Sequence, residues 1–254
     1  MSGLIVSRRG LVAGAASLGG LILAGCDRLA RAPSFDQILQ SAQGLTYRSQ
    51  RLLEAGGPLA REYAKSDISP VFKLNGTLVP TGDAYKAMAD NRFADWKLVV
   101  DGMVARPLSL SLAQLGALPA RTQITRHDCV EGWSAIGQWS GARLGPILQL
   151  AGLSGNARYI VFHCADNWGP GGDYYESIDL VDAFHPQTIL AYALNGAPLE
   201  VGHGAPLRLR VERQLGYKQA KYVMRIEAVD KLNMIGSGKG GFWEDRGYEW
   251  YAGI

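Results

Sequence analysis

The apolar positions of this chain fall at helical spacing near its front end and in short strand-like runs over the rest. Ala32 to Lys65 reads as helical. Ser34 and Gln37 form a capping-box pair, and Phe35, Ile38, Leu39 and Ala42 recur on one face before Gly56-Gly57-Pro58 breaks the pattern. A turn-rich stretch with Pro70, Asn75-Gly76, Pro80 and Gly82 follows. Strand runs are then expected at Lys97–Val100, turned by Asp101-Gly102, and at Arg121–His127, Tyr159–Cys164, Ile189–Leu194, Leu207–Val211 and Tyr222–Val229. Short helices are expected to start at Ser111–Leu115 and to run from Arg143 to Leu153, ending near Gly152. Helices are few after Asn91, so the fold class is α+β with a strong β component, not alternating βαβ units. No internal repeat is visible. The tail from Phe242 to Ile254 is aromatic, and that much ring surface is expected to fold back over the core.

Composition narrows the function classes. The 254 residues are 47% hydrophobic and 19% charged, enough for one large domain or two small ones. A net charge of +3 lacks the clustered basic face of a nucleic-acid binder, so no nucleic-acid partner is expected. Three cysteines make no disulfide framework, and no C-x-x-C encodes a zinc ribbon or a haem attachment site. Residues 1–26 form a targeting segment. Arg8-Arg9 precedes an uncharged Ala/Gly-rich run from Leu11 to Gly25, shorter than a comfortable membrane span and similar to a twin-arginine export signal. Leu23-Ala24-Gly25-Cys26 resembles a lipobox, which implies acylation of Cys26. Asp27 behind it resembles an inner-membrane retention signal, so the mature protein is expected in the periplasm on a lipid anchor. The chain then divides into a helical segment and linker, 27–94, and a catalytic domain with its tail, 95–254.

The chemistry concentrates in Thr125-Arg126-His127-Asp128-Cys129-Val130-Glu131-Gly132-Trp133-Ser134, where one cysteine lies between a polar strand-like approach and a Gly/Trp-rich turn. A lone thiol is most often buried and inert. As a thiolate it is a soft donor suited to a soft metal. Cys-Val-Glu-Gly-Trp-Ser, with Gly137-Gln138-Trp139-Ser140-Gly141 behind it, resembles the molybdenum-ligating segment of the molybdopterin oxidoreductases of the sulfite-oxidase fold. The nearest likeness is to the branch that reduces methionine sulfoxide in the periplasm.

That resemblance runs from about Trp96 to the C-terminus, and it implies a β-rich molybdopterin-binding fold and a mononuclear molybdenum held by molybdopterin. Cys129 is then the metal ligand. His203-Gly204-Ala205-Pro206-Leu207-Arg208 and Gly216-Tyr217-Lys218-Gln219-Ala220-Lys221 are similar to segments that hold the pterin and its phosphate. His203, Arg208, Gln219, Ala220 and Lys221 become cofactor-binding candidates, with a guanidinium fork and an ammonium matching phosphate chemistry. His203 stands where the sulfoxide-reducing branch has asparagine, and Cys164, also a candidate, where it has threonine. Asn75 is the one residue that carries over from a weaker match at Phe72–Gly76. Tyr248, in a tail segment similar to that branch's, is a catalytic candidate able to orient an oxo or sulfoxide oxygen.

The expected activity is oxygen-atom transfer on a sulfoxide or a related small S- or N-oxide. With no haem motif present, electrons come from a separate carrier, a cytochrome or a quinone-linked membrane subunit. Two other readings stand beside this one: a metal-free thiol hydrolase using Cys129 with His127 or His163 as base, and a non-catalytic lipoprotein scaffold. His185 and His163 read as structural. The Trp168–Asp173 loop is a candidate wall of the substrate mouth.

Overall fold

The computed structural model describes residue 42 and residues 44–52, 57–169 and 172–254. The expected export signal, the expected lipobox at Cys26 and the expected Ser34–Gln37 capping pair lie outside the described residues. Of the helix expected over Ala32–Lys65, residues 44–52 are helical. Residues 57–64 are irregular, and only Lys65–Asp67 makes a single 3-10 turn. Gly57 sits at φ 63°, outside the right-handed helix, and Pro58 has no N–H to continue one. Among the described residues no helix is long and apolar enough to cross a membrane.

Two antiparallel-dominated sheets organise the compact unit Gly56–Ile254. The first has the order β2 (Leu108–Ser111), β1 (Lys97–Gly102), β10 (Val223–Val229), β5 (Tyr159–Asn167), β6 (Asp173–Asp179). Its β1–β10 pair is parallel and its other pairs antiparallel. The second runs β3 (Ala120–Cys129), β4 (Trp133–Arg143), β7 (Ile189–Leu194), β8 (Ala197–Pro198), with β9 (Arg208–Arg210) also on β7. Four helices connect them: α1 (Asp83–Asp90), α2 (Leu112–Gly116), α3 (Leu144–Ala151) and α4 (Leu180–Ala183). Leu98, Val100, Ile147, Leu148, Phe162 and Ile226 are fully buried in the main core.

Local chemistry explains the element ends. Ser111 and Gln114 close a reciprocal capping box at the start of α2. Gly152 at φ 71° ends α3, because a left-handed C-terminal residue satisfies the last carbonyls without a Cβ penalty. Gly102 at φ 78° turns the chain after β1, where a Cβ would fall 2.4 Å from the Ala228 carbonyl.

The segment after Cys129 corrects the sequence expectation. The Gly/Trp-rich run is not a turn; only Val130–Gly132 turns, and Trp133–Arg143 is a strand of eleven residues. Its alternation is hidden because Gly137 and Gly141 share the inward face with Ala135 and Trp139. A Cβ at Gly141 would lie 2.2 Å from the Leu190 carbonyl oxygen, and one at Gly137 would lie 2.9 Å from Leu194 Cδ1. β7 therefore approaches β4 too closely for any larger residue. β2, β6 and α1 were also not foreseen. In β6 the buried face includes Glu176, whose charge disguises an interior strand.

Candidate active site

Cys129 is the last residue of β3, placed by an unbroken ladder with β4 that runs from Ala120–Ala142 to Cys129–Trp133. Gln123, Thr125, His127 and Cys129 share the inward face of β3 through the period-two pleat. The hairpin closes with Gly132 N–H donating to the Cys129 carbonyl at 3.0 Å, and Gly132 adopts φ 84°. The thiol is 9% exposed, and Asn75 Nδ2 donates to its Sγ at 3.9 Å. Burial pushes the thiol above its ordinary value; the Glu131 backbone donor, Asn75 and Arg208 oppose the shift.

A pocket of about 180 Å³ opens on this sulfur. Asn75, Gly76 and Thr77 form one wall, Asp166 and Trp168 a second, Gly216, Tyr217, Gln219 and Lys221 a third, and Trp243 and Tyr248 the rim. Of the expected site residues, Asn75, Cys129, Gln219, Lys221 and Tyr248 meet here. Trp168, from the expected mouth loop, meets them as well. Tyr248 is 42% exposed, with its ring edge-on to Tyr217 at 5.2 Å and tilted against Trp243 at 5.4 Å. The aromatic tail does fold back: Tyr217 Oη donates to the Glu249 carbonyl at 2.6 Å, Leu215 N–H to Ala252 at 2.9 Å and Trp250 Nε1 to Ser177 Oγ at 2.9 Å.

His203, Arg208, Ala220 and Cys164 lie behind or beside these walls. Ala220 is buried and accepts Leu209 N–H at 2.8 Å. Cys164 is buried in β5 and borders a different, open groove of about 1010 Å³. His203 Nε2 pairs with the Phe72 carbonyl at 3.1 Å. Arg208, 1% exposed, donates to the His203 carbonyl at 3.0 Å and the Gln219 carbonyl at 3.4 Å, while its Nε meets no acceptor among the described residues. Burial and Arg210 bring its guanidinium down to about 9. Lys221 Nζ donates to the carbonyls of Asn75 at 2.7 Å, of Gly202 at 3.0 Å and of Thr77. Burial, then Arg208, lowers it to about 7. Tyr222 Oη donates to Thr77 and Leu78. The irregular 72–78 segment is thus held by its carbonyls, and that is how Asn75 reaches Cys129.

His127 is fully buried beside Cys129 on β3. Its Nδ1 lies 3.0 Å from Arg210 Nη1. An arginine can only donate, so Nδ1 accepts and the ring proton sits on Nε2. Burial, then Arg210 and Arg208, pushes the imidazole well below its ordinary value. A Cβ at Gly216 would lie 2.6 Å from His127 Nε2, so the 3-10 turn Gly216–Lys218 that delivers Gln219 and Lys221 needs glycine at its start. His163 pairs with Glu227 at 2.8 Å and borders the open groove, not the Cys129 pocket. His185 Nε2 lies 3.2 Å from the Pro58 carbonyl, 127 positions away, a long-range structural contact.

Three features escaped the sequence reading. Asp166 is a pocket wall, 4% exposed, on a strand that reads as mostly apolar up to Cys164. Arg210 is clamped by Glu212 at 2.9 and 2.6 Å. Lys218 is fully buried against both Glu176 and Glu244. The last two are invisible locally because the partners come from distant strands or from strand neighbours that look solvated. Among the described residues no three His, Cys, Asp or Glu side chains converge as a metal site. A metal at Cys129 therefore needs its other donors from a cofactor. The single soft sulfur, with Arg208 Nε unpaired behind it, fits a group that brings its own donor atoms and an anionic tail.

Comparison with known proteins agrees with that donor set. Residues 85–234 match the oxidoreductase molybdopterin binding domain. Over 252 residues the chain is 38% identical to a protein of Azospira oryzae with the provisional name of protein-methionine-sulfoxide reductase subunit YedZ1, covering 97% of this chain and 88% of that one. It is 34% identical over 164 residues to the protein-methionine-sulfoxide reductase catalytic subunit MsrP of Xanthomonas campestris, and this covers 59% of the chain and half the length of that relative. Among solved structures, the sulfane dehydrogenase SoxCD of Paracoccus pantotrophus matches at a TM-score of 0.49 and 23% identity, over 54% of this chain and 39% of that one.

Proposed function

We propose, from a chain that belongs to the family of molybdopterin-binding oxidoreductases, that this enzyme reduces a sulfoxide by oxygen-atom transfer at the Cys129 pocket. The observation that carries the reading is the single buried sulfur of Cys129, facing a pocket with Asn75, Gln219, Lys221 and Tyr248 on its walls and no competing ligand cluster among the described residues. The family cofactor, molybdenum on molybdopterin, supplies two-electron oxygen exchange when bound. Cys129 adds one soft donor as its thiolate, and the cost of burying that charge is offset by the Glu131 backbone donor, Asn75 and Arg208, and by the metal itself when bound. Arg208 and Lys221 would supply positive charge for the cofactor's phosphate, Gln219 a polar contact to its pterin, and Asn75 the orientation of the sulfur; Ala220, His203 and Cys164 are not among the residues that line this pocket. Tyr248, on the rim, is placed to hydrogen-bond the oxygen being transferred.

The relatives named as methionine-sulfoxide reductases support a sulfoxide as substrate, and the catalytic-subunit name of one supports a separate one-electron carrier. The same reading places the protein in the periplasm, exported by Arg8-Arg9 and anchored through acylated Cys26. The hydrolase alternative loses ground on geometry. A general base needs a free lone pair, whereas His127 Nδ1 is taken by Arg210 and burial raises the Cys129 thiol.

The test begins with protein made with its leader intact. Molybdenum and pterin near one per chain, with turnover of a sulfoxide by an artificial reductant, are expected. Cys129→Ser should lose the molybdenum paramagnetic signal and turnover while keeping its circular dichroism. A Cys129→Ser protein with unchanged signal and rate would sink the ligand assignment. Tyr248→Phe should load normally and slow turnover by about 10²–10⁴-fold. Equal rates leave Tyr248 as packing. Mass spectrometry of the mature N-terminus checks the lipid at Cys26.

A further inference from the structure

The Cys129 pocket contains a carboxyl that the proposed function does not use. Asp166 follows Cys164 on β5, inside the stretch where pairing with β6 lapses between His163 and Asn167. In that break Cys164 and Asp166 are both buried, and Ala165 between them donates its N–H to the Tyr222 carbonyl at 2.9 Å. Asp166 is 4% exposed and forms part of the pocket wall, yet its Oδ1 has no hydrogen-bond partner among the described residues. A buried polar atom left unpaired costs stability, so its presence in a ligand pocket points to work done on a ligand.

We propose that Asp166 is the acid that delivers a proton to the oxygen leaving the sulfoxide. This rests on the sulfoxide reading above. The balance of that reaction requires such a group: R2SO + 2 electrons + 2 protons gives R2S + H2O. The S–O bond breaks, sulfur takes up the two electrons that the separate one-electron carrier supplies, and the oxygen gains two O–H bonds. One of them forms as the Asp166 O–H breaks. The carboxylate is then reprotonated from water through the open rim at Trp168 and Tyr248. The second proton comes from solvent by the same route.

The surroundings of Asp166 suit the role. The charged or titratable groups facing it are Cys164 on its own strand, Tyr174 on β6, Tyr85 on α1, and Lys221 and Tyr222 before β10. Burial raises the thiol and all three phenols, so none of them ionises near neutrality. Lys221 is the one cation among them, and its ammonium is occupied by backbone carbonyls. Burial raises the Asp166 carboxyl to about 6, against the opposing pull of its own backbone N–H, Trp168, Lys221 and Thr77. An acid in that range is available as a donor and easily recharged.

The experiment compares the molybdenum-loaded parent with Asp166→Asn and Asp166→Glu, each checked for metal and pterin, using dimethyl sulfoxide and a reduced viologen from about pH 5 to 8. The parent kcat should fall as pH rises through about 6, because the donor form is lost. Loaded Asp166→Asn should show kcat reduced by about 10²–10⁴-fold at acid pH, a flat profile and little change in KM. Asp166→Glu should restore part of the rate and the pH dependence. A loaded Asp166→Asn enzyme with the parent's kcat and profile overturns the proposal while leaving the sulfoxide reading intact. A loaded parent that reduces no sulfoxide overturns both. Should the asparagine variant fail to load, infrared difference spectra of the unloaded parent decide. A protonated carboxyl band that titrates near pH 6 and is missing from Asp166→Asn supports the role; the absence of any such band in the parent at pH 5 refutes it.

Discussion

Lys218 and Lys221 lie three residues apart in one loop and end in opposite electrostatic settings. Lys218 is fully buried between the carboxylates of Glu176 and Glu244, and those two charges, against the cost of burial, raise its ammonium above the ordinary value. Lys221 is nearly as buried but its ammonium hydrogen-bonds only carbonyls, and burial, then Arg208, brings it down to about 7 against the weaker pull of Asp166 and Glu131. The same contrast separates Arg210, clamped by Glu212, from Arg208, which holds two carbonyls and has Nε unpaired. Both guanidiniums lie over the ring of Trp139, at 4.4 and 4.9 Å, so the paired one raises the cost of the under-paired one. Arg210 and Lys218 are closed ion pairs that hold the strands and tail in place. Arg208 and Lys221 carry buried positive charge with no carboxylate in hydrogen-bond contact, the condition that favours an anionic ligand.

Removing a closed cation should have the largest effect. Lys218→Met leaves two carboxylates facing each other without a counter-charge, and the loss should be about 3–5 kcal/mol in the denaturant midpoint of the unloaded protein. A loss under about 1 kcal/mol would mean that one carboxyl is protonated and the triad is already neutral. Next come the under-paired cations. Arg208→Lys and Lys221→Met should each weaken cofactor retention by about 1.5–3 kcal/mol, the worth of a charge-assisted contact, with a smaller effect on the unloaded fold. Pterin content after gel filtration reads this, and full retention in the double variant would erase the contrast between the two lysines. The third contrast is a pH slope. Lys221 titrates at about 7 when folded and at about 10.4 when unfolded, so between those values the unfolded chain binds more protons. The unloaded parent should therefore gain stability as pH rises through that window, relative to Lys221→Met. A slope of the opposite sign would show that the folded ammonium is stabilised, not penalised.

Legibility followed the range of the interactions. Ile189–Leu194 and the Gly152 helix stop were readable because burial pattern and backbone chirality act within a few residues. Cys129 was readable because a thiol with its hairpin glycine and tryptophan is a local pattern. β4 was missed because the buried face that Ala135 and Trp139 share is interrupted by Gly137 and Gly141, chosen for the closeness of β7 and not for apolar side chains. Asp166 was missed because a lone carboxyl after an apolar strand looks solvated until the lapse in β5–β6 pairing is seen to turn it inward.

The sequence by itself determined the β-rich class, the lone sulfur and the identity of the cations, since these depend on residue type and short spacing. Only the tertiary structure decided which cations would be neutralised. Lys218 meets Glu176 from 42 positions back and Glu244 from 26 positions ahead, whereas Lys221 meets the carbonyls of a segment whose nearest link is 144 positions back. Coulomb energy depends on distance in space and on exclusion of water, and neither is written in the spacing of residues along the chain.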